Sequence, residues 1–125
     1  MARKVSTTLT EAELRLMNVL WDRGPSTVKD VLGALPADPP LAYTTILTTL
    51  RILEDKGYLE HEKDGRAFLY KPRVPRDQAR QSAVRQILSR FFENSAEQLV
   101  LNLLKTEKLS SAEMKSLRKL IKEAQ

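Results

Sequence analysis

Apolar residues in the middle of the chain recur first every three or four positions and then every second position. At about 100° per residue, Tyr43, Ile46, Leu50 and Leu53 fall on one side of a helix, and Thr44, Thr48, Arg51 and Asp55 fall on the other. Tyr58 to Glu62 and Ala67 to Lys71 then alternate as strands do, with Phe68 and Tyr70 on one face. Between them Lys63-Asp64-Gly65-Arg66 carries the Asp-Gly signal of a tight turn. The pattern predicts a helix feeding directly into a two-stranded hairpin.

Two shorter helices are predicted upstream. Thr10 and Glu13 have the spacing of a capping box, and Leu9 and Leu14 bracket it as a hydrophobic staple. That helix carries Leu14, Met17, Leu20 and Trp21 at core spacing and ends at Gly24-Pro25. Ser26 or Thr27 caps the next, which turns Val28, Val31, Leu32 and Leu35 inward and Lys29 and Asp30 outward. Pro36-Ala37-Asp38-Pro39-Pro40 then enforces an extended loop. Three helices followed by a hairpin make a winged helix-turn-helix.

Composition changes after Pro72-Arg73-Val74-Pro75, where a long helix from about Arg76 to Phe92 begins and two more follow. The expected fold is mainly α with a small β hairpin: a winged-helix domain over 1–74 and a helical region over 75–125. The last helix starts with a second staple and capping box, Leu109, Ser110, Glu113 and Met114. Phe91, Leu99, Leu101, Leu104, Leu117, Leu120 and Ile121 give this region more apolar surface than three helices can hide among themselves. A second copy of the chain would cover it; the alternative is that the tail packs back on its own N-terminal domain.

The absence of cysteine removes disulfides, thiolate metal sites and Cys nucleophiles, and the single His61 cannot build a metal centre. No nucleophile–base pair or Gly-rich phosphate loop is present, so no enzyme, metal or cofactor is expected. The start of the chain lacks the apolar core of a secretion signal, and no run of about 18 apolar residues exists to enter a membrane. The expected location is the cytoplasm. Net charge is +5, but residues 1–73 hold 11 Lys/Arg against 10 Asp/Glu, whereas 74–125 hold 10 against 6. Any affinity of the winged helix for nucleic acid must therefore come from the placement of individual cations.

The outward face of the third predicted helix supplies such a placement. Threonines there each carry a helix cost of up to about 0.7 kcal/mol relative to Ala, which a face without a task has little reason to bear. Their hydroxyls can reach bases or phosphates, and their methyl groups can meet thymine. Lys63 and Arg66 flank the hairpin tip as a wing needs in order to touch a phosphate backbone. His61 reads as a solvated strand residue and Trp21 as core; Arg73, Arg76 and Arg80 are a candidate phosphate-facing cluster or, equally, a solvated face. A winged helix can also serve as a protein–protein interaction module with no DNA specificity.

With these residues in place, the chain resembles the penicillinase repressor family of winged-helix regulators, which includes the methicillin-resistance repressor. The resemblance rests on LTEAELRLMNVLWDRGPSTVKDV, the reading segment AYTTILTTLRILEDKGYL, the wing GRAFLY and the tail SAEQLVLNLL, in that order and spacing. It implies a homodimeric repressor on an inverted-repeat operator in double-stranded DNA, with the third helix in the major groove. By position it nominates Tyr43, Thr44, Thr45, Thr48 and Arg51 on that helix and Arg66 on the wing. It also implies release from DNA by cleavage at Asn102-Leu103, after activation of a membrane-bound zinc metalloprotease that senses beta-lactams. This chain departs from the family pattern in having Leu103 where the cleaved bond carries Phe, and Ile52 where many relatives have a second basic residue. Copper-responsive relatives have a cysteine-rich tail, and that branch is excluded.

Overall fold

Side-chain caps set where the first two helices begin in the computed structural model, which describes residues 9–37 and 39–124. The reading of the chain's start as lacking a secretion signal, and Asp38 of the proline loop, lie outside the described residues. α1 (Glu11–Arg23) opens on the Thr10/Glu13 box, α2 (Val28–Ala34) on a second box between Thr27 and Asp30, and Ser26 plays no capping part. α3 (Tyr43–Asp55) has no side-chain cap at Ala42. Gly24 (φ 88°) and Gly57 (φ 92°) end α1 and α3 with backbone that L side chains rarely adopt. Arg15 on α1 holds the loop between α2 and α3, donating to the carbonyls of Pro36 and Pro39.

β1 (Leu59–Asp64) and β2 (Ala67–Pro72) pair antiparallel in a register that runs from Leu59 opposite Pro72 to Asp64 opposite Ala67. The first strand is thus longer than the alternation predicts. Lys63 and Asp64 are paired strand residues, and the turn is Gly65 and Arg66 alone. On the outer edge of β2, Ser26 and Tyr70 exchange both backbone hydrogen bonds at 2.9 and 2.8 Å, adding a one-residue third strand. This is a winged helix.

Its core is built from Leu16, Met17 and Leu20 of α1, Val28 and Val31 of α2, and Ile46, Leu50 and Leu53 of α3, closed by Tyr58, Leu59, Tyr70 and Val74. Three inward assignments fail. Leu14, Leu32 and Tyr43 are exposed, because each lies at the rim of its apolar stripe and the helices meet along the centre. Leu16, which the pattern left out, is fully buried. Trp21 is half-buried against this core, its indole N–H donating to the Val74 carbonyl at 2.9 Å.

α4 (Arg76–Phe91), α5 (Ala96–Thr106) and α6 (Ser111–Glu123) complete the chain. Ser95 caps α5, and a Ser110/Glu113 box caps α6. The chain forms two compact units that divide inside α4, after Val84. No residue of α4, α5 or α6 is buried. No described helix is long and apolar enough to cross a membrane.

Candidate nucleic-acid interface

The reading surface begins with the orientation of α3. Ile46, Leu50 and Leu53 anchor one side of it in the core, and this leaves Thr44, Thr45, Thr48 and Arg51 exposed on the other. Thr49, one position round, is half-buried and bonds its hydroxyl to the Thr45 carbonyl at 2.8 Å. The threonine face therefore divides into a hydroxyl spent on the helix itself and others open to a partner.

Arg51 belongs to a concavity of about 520 Å³, which also takes in Tyr43 from the start of α3, Arg66 and Phe68 from the wing, and Thr27 and Lys29 from α2. Three cations and two aromatic rings from three elements converge there. Lys63 does not line this concavity; its strand position turns it to a different part of the wing. Lys29, Thr27 and Phe68 were not singled out as binding residues in the sequence. The signal that would have found them is the helix-turn-helix itself, which brings the start of α2 beside the start of α3.

The wing is tied to α3 from below. Glu54, in the last turn of α3, contacts His61 Nδ1 of β1, and the His61 ring packs 4.7 Å from Phe68 and 5.7 Å from Tyr70, centroid to centroid. His61 is an exposed strand residue, as its sequence position suggests, and it also links the hairpin to the helix. Burial pushes the Tyr70 hydroxyl above its usual pKa, the Glu54 charge adds to this, and charge and hydrogen bonding from Arg51 pull the other way.

A second device supports the same helix. Glu13, nearly buried, accepts from Lys56 Nζ at 2.7 Å and from the Thr10 backbone N–H at 2.7 Å. Burial works to raise its carboxyl pKa, but Lys56 and Thr10 outweigh burial and hold it below the usual value. The ion pair fastens the C-terminal end of α3 to the beginning of α1.

The linker arginines each lie near a carboxylate of their own unit. Arg76 pairs with Asp22 at 2.7 Å and stacks over Trp21 with 5.3 Å to the ring centroid. Arg80 pairs with Asp77 at 3.5 Å, and Arg73 approaches Glu60 at 3.9 Å. Of the three, Arg76 is hydrogen-bonded to its carboxylate, and Arg73 and Arg80 stay exposed.

In the second unit, Phe91, Leu101, Leu104, Leu117, Leu120 and Ile121 are exposed, Phe91 by 71%, and Leu99 is partly covered. Asn102 and Leu103 lie inside α5, where the Asn102 carbonyl also accepts from the Thr106 hydroxyl at 2.8 Å.

The penicillinase repressor family model matches residues 9–123. The chain belongs to that family. It is 30% identical over 115 residues to the penicillinase repressor of Bacillus licheniformis, covering 92% of this chain and 90% of the relative. To the methicillin resistance regulatory protein MecI of Staphylococcus aureus it is 23% identical, covering 90% and 92%. Among solved structures, it superposes on the DNA-binding domain of the repressor BlaI with a TM-score of 0.54 and 32% identity, over 61% of this chain and 93% of that one. A second match is the monomeric form of Bacillus licheniformis BlaI in complex with the blaP half-operator, with a TM-score of 0.50, 31% identity, and coverage of 62% and 93%. The Bacillus licheniformis relative and BlaI are repressors by name, and the penicillinase repressor fold accounts for the helices and hairpin described above.

Proposed function

We propose that this DNA-binding transcriptional repressor acts as a homodimer on an inverted-repeat operator, reading each half-site with α3. The observation that carries this reading is the exposed Thr44, Thr45, Thr48 and Arg51 face, continuous with a cationic concavity that includes Tyr43 and Arg66. In this reading the threonines meet base edges, and Arg51 makes a bidentate contact to guanine or a strong phosphate anchor. Lys63 and Arg66 hold the backbone beside the wing. The relative solved with a half-operator supports the assignment by its likeness in fold and sequence.

Homodimerisation rests on the uncovered apolar residues of α4, α5 and α6: Phe91, Leu99, Leu101, Leu104, Leu117, Leu120 and Ile121. A two-fold dimer sets two reading helices on half-sites about one or two turns apart. The protein works in the cytoplasm, and its release from DNA proceeds by cleavage at Asn102-Leu103 by a membrane-bound metalloprotease sensor. Because that bond lies within α5, cleavage requires local unwinding of the helix.

The test is selection of bound fragments from the host genome with purified protein, followed by footprinting. One recurring inverted repeat, with protection abolished in the Thr48→Ala/Arg51→Ala double variant, is the expected result. Enrichment of no sequence over random duplex, or protection unaffected by the double variant, overturns it.

A further inference from the structure

α6 has two faces of different chemistry. Met114, Leu117, Leu120 and Ile121 lie on one side, and Lys115, Arg118, Lys119 and Lys122 form a stripe roughly 100° wide on the other. The four cations border one shallow depression on the helix surface. All are exposed, and none forms an ion pair among the described residues. The nearest acidic residue before them, Glu113, is occupied at the helix start, where it accepts from the Ser110 backbone N–H. From Lys115 to Lys122 the stripe rises about 10 Å, at 1.5 Å per residue.

This stripe sits where the charge of the molecule is concentrated. Residues 74–125 carry a net charge of +4, whereas residues 1–73, which contain the reading surface, carry +1. Burial of the apolar side of α6 against a second copy would leave the basic side open. Unpaired cations spaced along a rigid helix complement a polyanion, and the polyanion a repressor meets throughout its working life is duplex DNA.

We propose that the Lys115, Arg118, Lys119 and Lys122 face of α6 is a sequence-independent binding surface for DNA phosphates, separate from the reading surface of α3. The inference rests on the repressor reading above. It assigns to the C-terminal region a share of the affinity, while specificity stays with α3. The basic face adds equally to operator and random duplex, so it raises affinity without changing their ratio.

The test measures binding of the full chain to operator and to random-sequence duplex across a salt series. The proteins compared are wild type, the Lys115→Gln/Arg118→Gln/Lys119→Gln/Lys122→Gln variant, and a charge-preserving Lys115→Arg/Lys119→Arg/Lys122→Arg variant. Every phosphate that is no longer neutralised should flatten the slope of log affinity against log salt by about 0.9. The Gln variant is therefore expected to flatten that slope by at least about 2 on both DNAs. It should keep wild-type dimer mass and operator-to-random ratio, and the Arg variant should match wild type. An unchanged slope in the Gln variant overturns the proposal, as does failure to bind phosphatidylglycerol vesicles with DNA slopes intact. Wild-type protein that binds neither DNA would instead overturn the repressor reading itself.

Discussion

The two units of the chain satisfy their apolar residues in different ways. The winged helix buries its own: Leu16, Leu20, Ile46, Leu50 and Leu53 are wholly out of water, and Tyr58 and Tyr70 close the core. Of the C-terminal helices, α5 and α6 have well-formed caps and strong apolar stripes, yet neither has a buried residue. Local signals suffice to start a helix, but only a partner surface can dry its face. The first unit holds its own core, and in the proposed dimer the second would gain its stability from assembly.

The harshest way to break this contrast is to charge the exposed stripe. Leu101→Glu with Leu104→Glu places carboxylates where a dry interface is proposed, at a cost of several kcal/mol. The protein should sediment as a monomer, and the thermal transition of the winged helix should stay where it was. A dimer that survives would move the interface elsewhere. The converse substitution, Leu50→Ala, opens a cavity in the core of the first unit and should remove about 2–5 kcal/mol of its stability. Denaturant unfolding followed by Trp21 fluorescence reports this, while self-association of the chain stays measurable at low denaturant.

Smaller effects sharpen the division between reading and support. Arg51→Ala should weaken operator binding by about 1–3 kcal/mol and relax preference at one base position, whereas an arginine that touches phosphate alone would weaken all sequences uniformly when removed. Competition between operator variants and random duplex separates the two. The smallest effect expected is an acid dependence confined to the winged helix. Glu13 is held below its ordinary carboxyl pKa of 4.5 by Lys56 and Thr10, so its stabilisation is complete above that value and disappears as pH falls through the lowered folded pKa. Melting temperature between pH 6 and pH 3 should fall less steeply in Glu13→Gln than in wild type, and equal slopes would deny Glu13 this role.

The sequence disclosed most where local chemistry decides the structure. Thr10 with Glu13, Ser110 with Glu113 and Gly24 act within a few residues of themselves, and the starts of α1 and α6 and the end of α1 followed from them; the hairpin was also legible, though its turn is Gly65-Arg66 and not Asp64-Gly65. Tertiary geometry was less legible. Leu14 and Leu32 carry the right residue type at the edge of the right stripe, and only the packing of neighbouring helices determines that they face water. His61 is exposed as read, but its contact with Glu54 could not be foreseen because that partner belongs to another element. Arg76 read as available for phosphate because Asp22 and Trp21 lie far from it in the chain. Lys29 escaped notice for the same reason: its place beside Arg51 and Arg66 exists only after α2 has turned onto α3.

The central claim is that two winged helices, joined through their C-terminal helices, read one symmetric site. Analytical ultracentrifugation of the full chain with a perfect inverted repeat, and with the same DNA carrying one scrambled half-site, tests it most directly. Two chains should bind the intact repeat, and the scrambled site should be bound at least about tenfold more weakly, the equivalent of about 1.4 kcal/mol. One chain bound to either DNA with equal affinity would contradict it.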